Sequence, residues 1–180
     1  MTLDALLKDY AHFNLWAHRR LVDWLRTKPA ERLEQETPSS FPTLKLTFLH
    51  LWAAEKIWME RLQQEPTAPF LALTFNGSSE VVCTGLLQNA AALATYIDAQ
   101  DAPYFEAECD FQLLDGTVDR RPRTEMLLHC LQHSTYHRGQ IITMARALGI
   151  TDPPKTDYIA YARLRDQGGL IFNRSAVVKP

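Results

Sequence analysis

The sequence predicts an all-α protein, a four-helix bundle whose connections cross over the bundle. It also predicts a small hairpin between the third and fourth helices and a short C-terminal helix. Two observations point there. Apolar residues recur at spacings of three and four through four long segments, and only 7 glycines occur in 180 residues, placed mostly where that pattern breaks. The intervening stretches are long and rich in proline and serine, which allows helices to pair with partners that are not next in sequence.

The first helix spans Thr2 to about Thr27, where Leu3, Leu6, Leu7, Tyr10, Phe13, Trp16, Leu21 and Leu25 build an apolar stripe and Pro29 stops it. Lys28 to Phe41 reads as a loop, and Pro42 is expected in the first turn of a second helix that runs to about Gln64. Pro66 to Ser79 is a second loop containing Asn76-Gly77, with Ser78 or Ser79 as the cap of a third helix ending near Ala99. A weak alternation around Tyr104–Glu108 that returns after Asp115-Gly116 through Thr117 and Val118 predicts the hairpin. The fourth helix starts between Pro122 and Thr124, runs to Leu148 and is closed by Gly149. A short helix over Asp157–Asp166 follows, and Gly168-Gly169 opens a tail of no assigned structure. No linker or repeat divides the chain, so residues 1–180 read as one domain.

Composition narrows the function. With 46% apolar residues and 180 positions, the chain can bury a full core without a metal or disulfide staple, so a bound metal would serve function. Lysine and arginine total 19 against 21 acidic residues, a balance without the electrostatic footprint of a nucleic-acid or membrane partner. The run Arg120, Arg121 and Arg123 is expected in a solvated turn. Asp4, Lys8 and Asp9 interrupt any signal-peptide core, and the uncharged stretch from Val81 to Ile97 is too short and too polar to span a bilayer. A cytoplasmic location is expected. Cys83, Cys109 and Cys130 are widely spaced and odd in number, which predicts free thiols.

The chemistry lies in the histidines. On a helical wheel centred on His133, His137 falls at about 40° and Met126, Cys130, Ile141 and Met144 lie within about 80°, so both histidines sit inside the apolar stripe of the fourth helix. Four residues apart, they can lean toward one point. On the second helix His50 shares a face with Leu46, Ala54 and Ile57. A single histidine in such a place is more often a buried neutral ring with a hydrogen bond. Three unsatisfied rings on apolar seams would each cost about 1–3 kcal/mol, and one divalent cation satisfies them all. Three imidazoles leave coordination positions for water, a thiolate or a substrate oxygen. Zinc or nickel is the expected metal, although imidazole also suits iron and copper.

The remaining histidines carry less. His129 is eight residues from His137, about 12 Å along the axis, and is expected to support a ligand or to be structural. His12 and His18 lie about 120° apart on the first helix and read as ordinary. Gly139 is expected to allow a close helix contact, Gln140 to bond a ligand ring or a metal-bound water, and Arg138 to form an ion pair with Glu55.

The string His133-Ser134-Thr135-Tyr136-His137-Arg138-Gly139-Gln140, preceded by His50-Leu51-Trp52-Ala53-Ala54-Glu55-Lys56-Ile57-Trp58, resembles the DinB superfamily, also called the DinB/YfiT-like metalloenzymes. Asn14, Trp16 and Ala17 and the segment Pro153 to Tyr161 extend the likeness over nearly the whole chain. The resemblance implies a four-helix bundle, commonly a homodimer, with a metal held by three histidines that match His50, His133 and His137. Members include transferases and isomerases that use a low-molecular-weight thiol, and others are described as hydrolases. The expectation is a metal-dependent enzyme that activates such a thiol against a small-molecule substrate. A metal-dependent hydrolase and a non-catalytic, stress-associated metal-binding protein are the alternatives. Hydrolysis ranks lower because no carboxylate shares the histidine stripe, Glu55 lying about 140° from His50.

Overall fold

A computed structural model describes residues 1–66 and 68–169; the tail opened by Gly168-Gly169 falls mostly outside them. The elements are α1 (Leu3–Arg26), α2 (Glu31–Glu34), α3 (Leu44–Gln63), α4 (Leu71–Thr74), α5 (Ser79–Asp98), α6 (Ala102–Glu106), β1 (Glu108–Gln112), β2 (Val118–Pro122), α7 (Arg123–Ala147) and α8 (Tyr158–Asp166). The long helices α1, α3, α5 and α7 are the four expected ones, and α8 is the expected C-terminal helix.

Their ends follow local chemistry. Thr43, Ser78 and Asp157 each accept the backbone N–H three residues on, from Leu46, Val81 and Ala160. Gly149 takes φ +76° after α7, the left-handed stop that costs a glycine nothing. Pro42 lies outside α3, contrary to expectation. Its carbonyl accepts the Thr37 N–H at 2.8 Å, and Thr43, which has a capping oxygen, opens the helix instead. The loops expected to be irregular contain the single turns α2 and α4.

α1 and α3 each pack against both α5 and α7, so α1 faces α3 across one diagonal and α5 faces α7 across the other. Arg26 bonds Glu80 and His12 pairs with Asp98, which makes α1 antiparallel to α5. Thr47 meets Met144 while Glu55 meets Ser134, which makes α3 antiparallel to α7. Gly85 faces Trp52, and the Tyr96 hydroxyl donates to the Leu62 carbonyl, so α3 and α5 run in the same direction. Residues 64–78 must therefore return along the whole bundle, about 30 Å, which extended chain at about 3.3 Å per residue covers easily. The other two connections cross the diagonals at opposite ends. These are the predicted crossovers.

The hairpin begins later than the sequence suggests. Asp101 caps α6 by accepting the Tyr104 N–H, and this turn absorbs Tyr104 to Glu106. β1 then pairs antiparallel with β2, Asp110 opposite Arg120, with Cys109 and Phe111 turned to the core. The arginine run is engaged locally: Arg120 with Glu108 and Asp110, Arg121 with Asp119, and Arg123 with the Ala107 and Glu108 carbonyls. All three cysteines are free and buried. Among the described residues no helix is long and apolar enough to cross a membrane.

The core is split along the bundle axis. One apolar cluster gathers Leu21, Leu25, Phe48, Leu51, Leu86 and Met144, and a second gathers Leu7, Leu62, Leu93, Ile97, Met126 and Leu131. Between them lie five buried polar residues: Asn14, His18, Glu55, Ser134 and Arg138. A third cluster, Phe13, Trp16, Ala17 and Tyr161, fastens α8 to α1.

Candidate metal centre

His50 comes from α3, and His133 and His137 from successive turns of the antiparallel α7, at the level of the buried polar layer. The structure brings these three predicted residues together. His133 Nε2 lies 3.1 Å from His50 Nε2 and 3.0 Å from His137 Nε2, and one ligand atom from each residue falls within 4.8 Å of the others. Nitrogens bound at about 2.1 Å to one ion are about 3.0–3.4 Å apart in octahedral or tetrahedral geometry, so the spacing fits a shared cation.

Proton placement points the same way. His137 Nδ1 sits 2.7 Å from Gln140 Oε1, an acceptor, so Nδ1 carries the hydrogen and the Nε2 lone pair faces the other rings. The Gln140 amide N–H groups are directed at the Tyr136 hydroxyl, 3.2 Å away, and at Ser40 Oγ, 3.4 Å away, which fixes its orientation. A single hydrogen on His133 Nε2 would have to serve two neighbouring nitrogens at once, so hydrogen bonding among the rings satisfies the cluster poorly. A cation satisfies it fully.

The rings are held neutral, the form in which imidazole ligates. Burial, then the neighbouring His137, pushes His50 down to about 4. Burial and the surrounding rings do the same to His133, also to about 4, against the pull of Glu55. His137 is lowered by burial, against its bond to Gln140.

Phe41 stacks on His50 with centroids 4.3 Å apart, and the Tyr136 ring stands edge-on to His137 at 5.0 Å. On the other side a groove of about 450 Å³, lined by Glu125, Leu128, His129, Gln132, His133 and Tyr136, opens to solvent. His129 lies outside the cluster. It is exposed, its ring 4.7 Å from Trp58 and stacked 6.0 Å from His133.

Of the flanking residues, Gln140 behaves as expected and three others do not. A Cβ added at Gly139 would meet nothing within 4 Å; the close helix approach is at Gly85, where a Cβ would overlap the Trp52 indole. Arg138 reaches Asn14 Oδ1 and Thr135 Oγ1 rather than Glu55, with Asn14 Nδ2 bridging to Glu55 Oε1 at 2.7 Å. His18 is not ordinary. It is fully buried and lies 2.6 Å from the same Glu55 oxygen, which Ser134 Oγ also contacts at 2.8 Å. Wheel geometry places Glu55 off the histidine stripe, but only the meeting of α1, α3 and α7 side chains in the bundle core shows what it does there.

Comparison with known proteins agrees with this architecture. The model of the DinB family matches residues 1–169. Protein DinB of Bacillus subtilis (strain 168) is 24% identical over 164 residues, covering 86% of this chain and 95% of that protein. The crystal structure of a DinB-like protein from Bacillus cereus superposes with a TM-score of 0.63 at 18% identity, covering 80% of this chain and 91% of the other. Matched by the family model from its first residue to the end of its described helices, the chain belongs to the DinB family.

Proposed function

We propose that this protein is a metal-dependent enzyme that activates a low-molecular-weight thiol for transfer to a small electrophile. The observation that carries the reading is three imidazoles from two helices, their Nε2 atoms gathered beside an open groove. A divalent ion held by His50, His133 and His137, zinc or nickel, would lower the pKa of a coordinated thiol. The chain's own residues do the rest. Gln140 keeps His137 in the ligating tautomer, and Phe41 screens His50 from solvent. Leu128 and Tyr136 give an incoming molecule an apolar approach past His133.

The protein's own cysteines do not compete for the nucleophile's role. Cys83 is buried and pushed up to about 11, and burial beside Glu55 raises Cys130 well above the usual thiol value. Cys109 is buried as well, its Sγ against the Arg61 carbonyl, so a thiolate nucleophile has to come from outside. Hydrolysis is the second reading. It needs a base near a bound water, and the nearby carboxylate, Glu55, gives Oε1 to Asn14, His18 and Ser134 and keeps Oε2 buried.

The test is thiol transfer to a model aryl halide, assayed with several thiols on zinc-loaded, nickel-loaded and metal-stripped protein. Turnover that needs both metal and thiol is expected. Equal rates with and without metal would sink the proposal, and metal-dependent turnover without thiol would put hydrolysis first.

A further inference from the structure

The buried polar layer and the three-histidine cluster meet along α7. Ser134 sits on α7 between His133 and His137 and is fully buried. Its hydroxyl lies 2.8 Å from Glu55 Oε1, on the helix that carries His50. That oxygen also receives Asn14 Nδ2 at 2.7 Å and His18 Nε2 at 2.6 Å, both from α1, and Asn14 in turn receives Arg138, the residue after His137.

His18 Nδ1 and Glu55 Oε2 are buried without a hydrogen-bond partner among the described residues. An imidazolium there would strand a donor, so His18 is the neutral ring donating from Nε2. Glu55 is thus anchored from α1 by two donors and presents the same atom to α7. Thr47 provides another buried hydroxyl between α3 and α7; it bonds its own helix at Thr43 O and lies 3.4 Å from the Met144 sulfur.

From this geometry we infer that Glu55 is a positioning residue for the metal centre. By accepting the Ser134 hydroxyl it sets the rotation and register of α7 on α3, and so the approach of His133 and His137 to His50. The inference rests on the reading of the three histidines as metal ligands. Groups that hydrogen-bond a metal ligand directly change affinity by about 10–100-fold when removed; Glu55 and Ser134 act one step behind the ligands, so the lower end of that range bounds their effect.

The experiment uses Co²⁺ as a spectroscopic probe on the full chain. The unaltered protein is expected to bind one Co²⁺ with visible d–d bands. Ser134→Ala severs the link and should weaken Co²⁺ binding by up to about tenfold and shift the bands. Glu55→Gln retains an oxygen acceptor at the same place and should keep the bands and the affinity. Thr47→Val should also leave both unchanged. Ser134→Ala with unaltered bands and affinity overturns the inference. So does Thr47→Val weakening Co²⁺ as much as Ser134→Ala. Where Ser134→Ala does not fold, loss of the ion by Glu55→Gln that circular dichroism shows to be folded overturns the inference by itself. Failure of the unaltered protein to bind Co²⁺ removes the metal reading itself.

Discussion

Gln140 Oε1 accepts a hydrogen bond from His137 Nδ1 across 2.7 Å, one turn along α7. This contact decides which nitrogen of His137 faces His50 and His133, and a ring free to change tautomer would spend part of its time presenting N–H to the ion. Gln140→Ala should therefore weaken zinc binding by about 10–100-fold while the metal-free protein melts nearly as before. Competition against a colorimetric chelator measures the first and circular dichroism the second. Unchanged zinc affinity would mean that another contact orients the ring.

Removing a ligand should remove the ion. Purified protein is expected to carry one metal per chain by elemental analysis, and His50→Ala, His133→Ala and His137→Ala should each lose it. Undiminished metal in His133→Ala would take His133, the ring in contact with both others, out of the ligand set.

Metal-free protein should lose stability as the pH falls from about 6.5 to about 4. His50 and His133 are both held at about 4 when folded, against about 6.5 in an unfolded chain. In that window the unfolded chain binds protons that the folded chain refuses, so acid favours unfolding; above it both states are neutral and the effect is absent. Urea midpoints at pH 7 and pH 4.5 should differ more for the unaltered protein than for a His50→Gln, His133→Gln double variant. Equal differences would show that these rings do not carry the effect.

Gly85 packs against Trp52 where α5 crosses α3. Gly85→Ala forces the indole to move in a filled space, at a cost of about 1–3 kcal/mol. A fall in Tm of about 2–10 °C is expected. Gly139→Ala, in open surroundings on a helix, should instead hold or raise Tm, because alanine favours helix by about 1 kcal/mol.

Asp9 ties α8 to α1, taking the Tyr161 hydroxyl at 3.1 Å, the Arg165 guanidinium at 2.6 Å and the Tyr158 hydroxyl. Asp9→Ala should expose the segment before α8 to limited proteolysis while zinc binding persists, since no residue of α8 reaches the histidines. Metal loss in this variant would show that α8 supports the centre.

Much of this molecule is legible in its amino acids, for a local reason. Helical periodicity, caps such as Ser78 and Asp157, and the left-handed stop at Gly149 are settled within a few residues. The pair His133 and His137 needs only the pitch of one helix to share a face. His50 falls on an apolar seam by the same rule. Gln140 is within reach because it lies three residues from His137.

What the packing alone decides involves residues distant in sequence. Asn14 and His18 meet Glu55 and Ser134 only because α1 lies beside α7 and faces α3 across the bundle core. A helical wheel assigns Glu55 an angle but no neighbour. The same blindness exchanges the roles of Gly139 and Gly85, since the need for a missing side chain is set by Trp52 on another helix. It also gives Arg138 the wrong partner, because Asn14, from α1, stands between it and Glu55. The ligand residues are readable from each helix by itself; their meeting within 3.1 Å, and the buried carboxylate behind them, depend on how three helices dock.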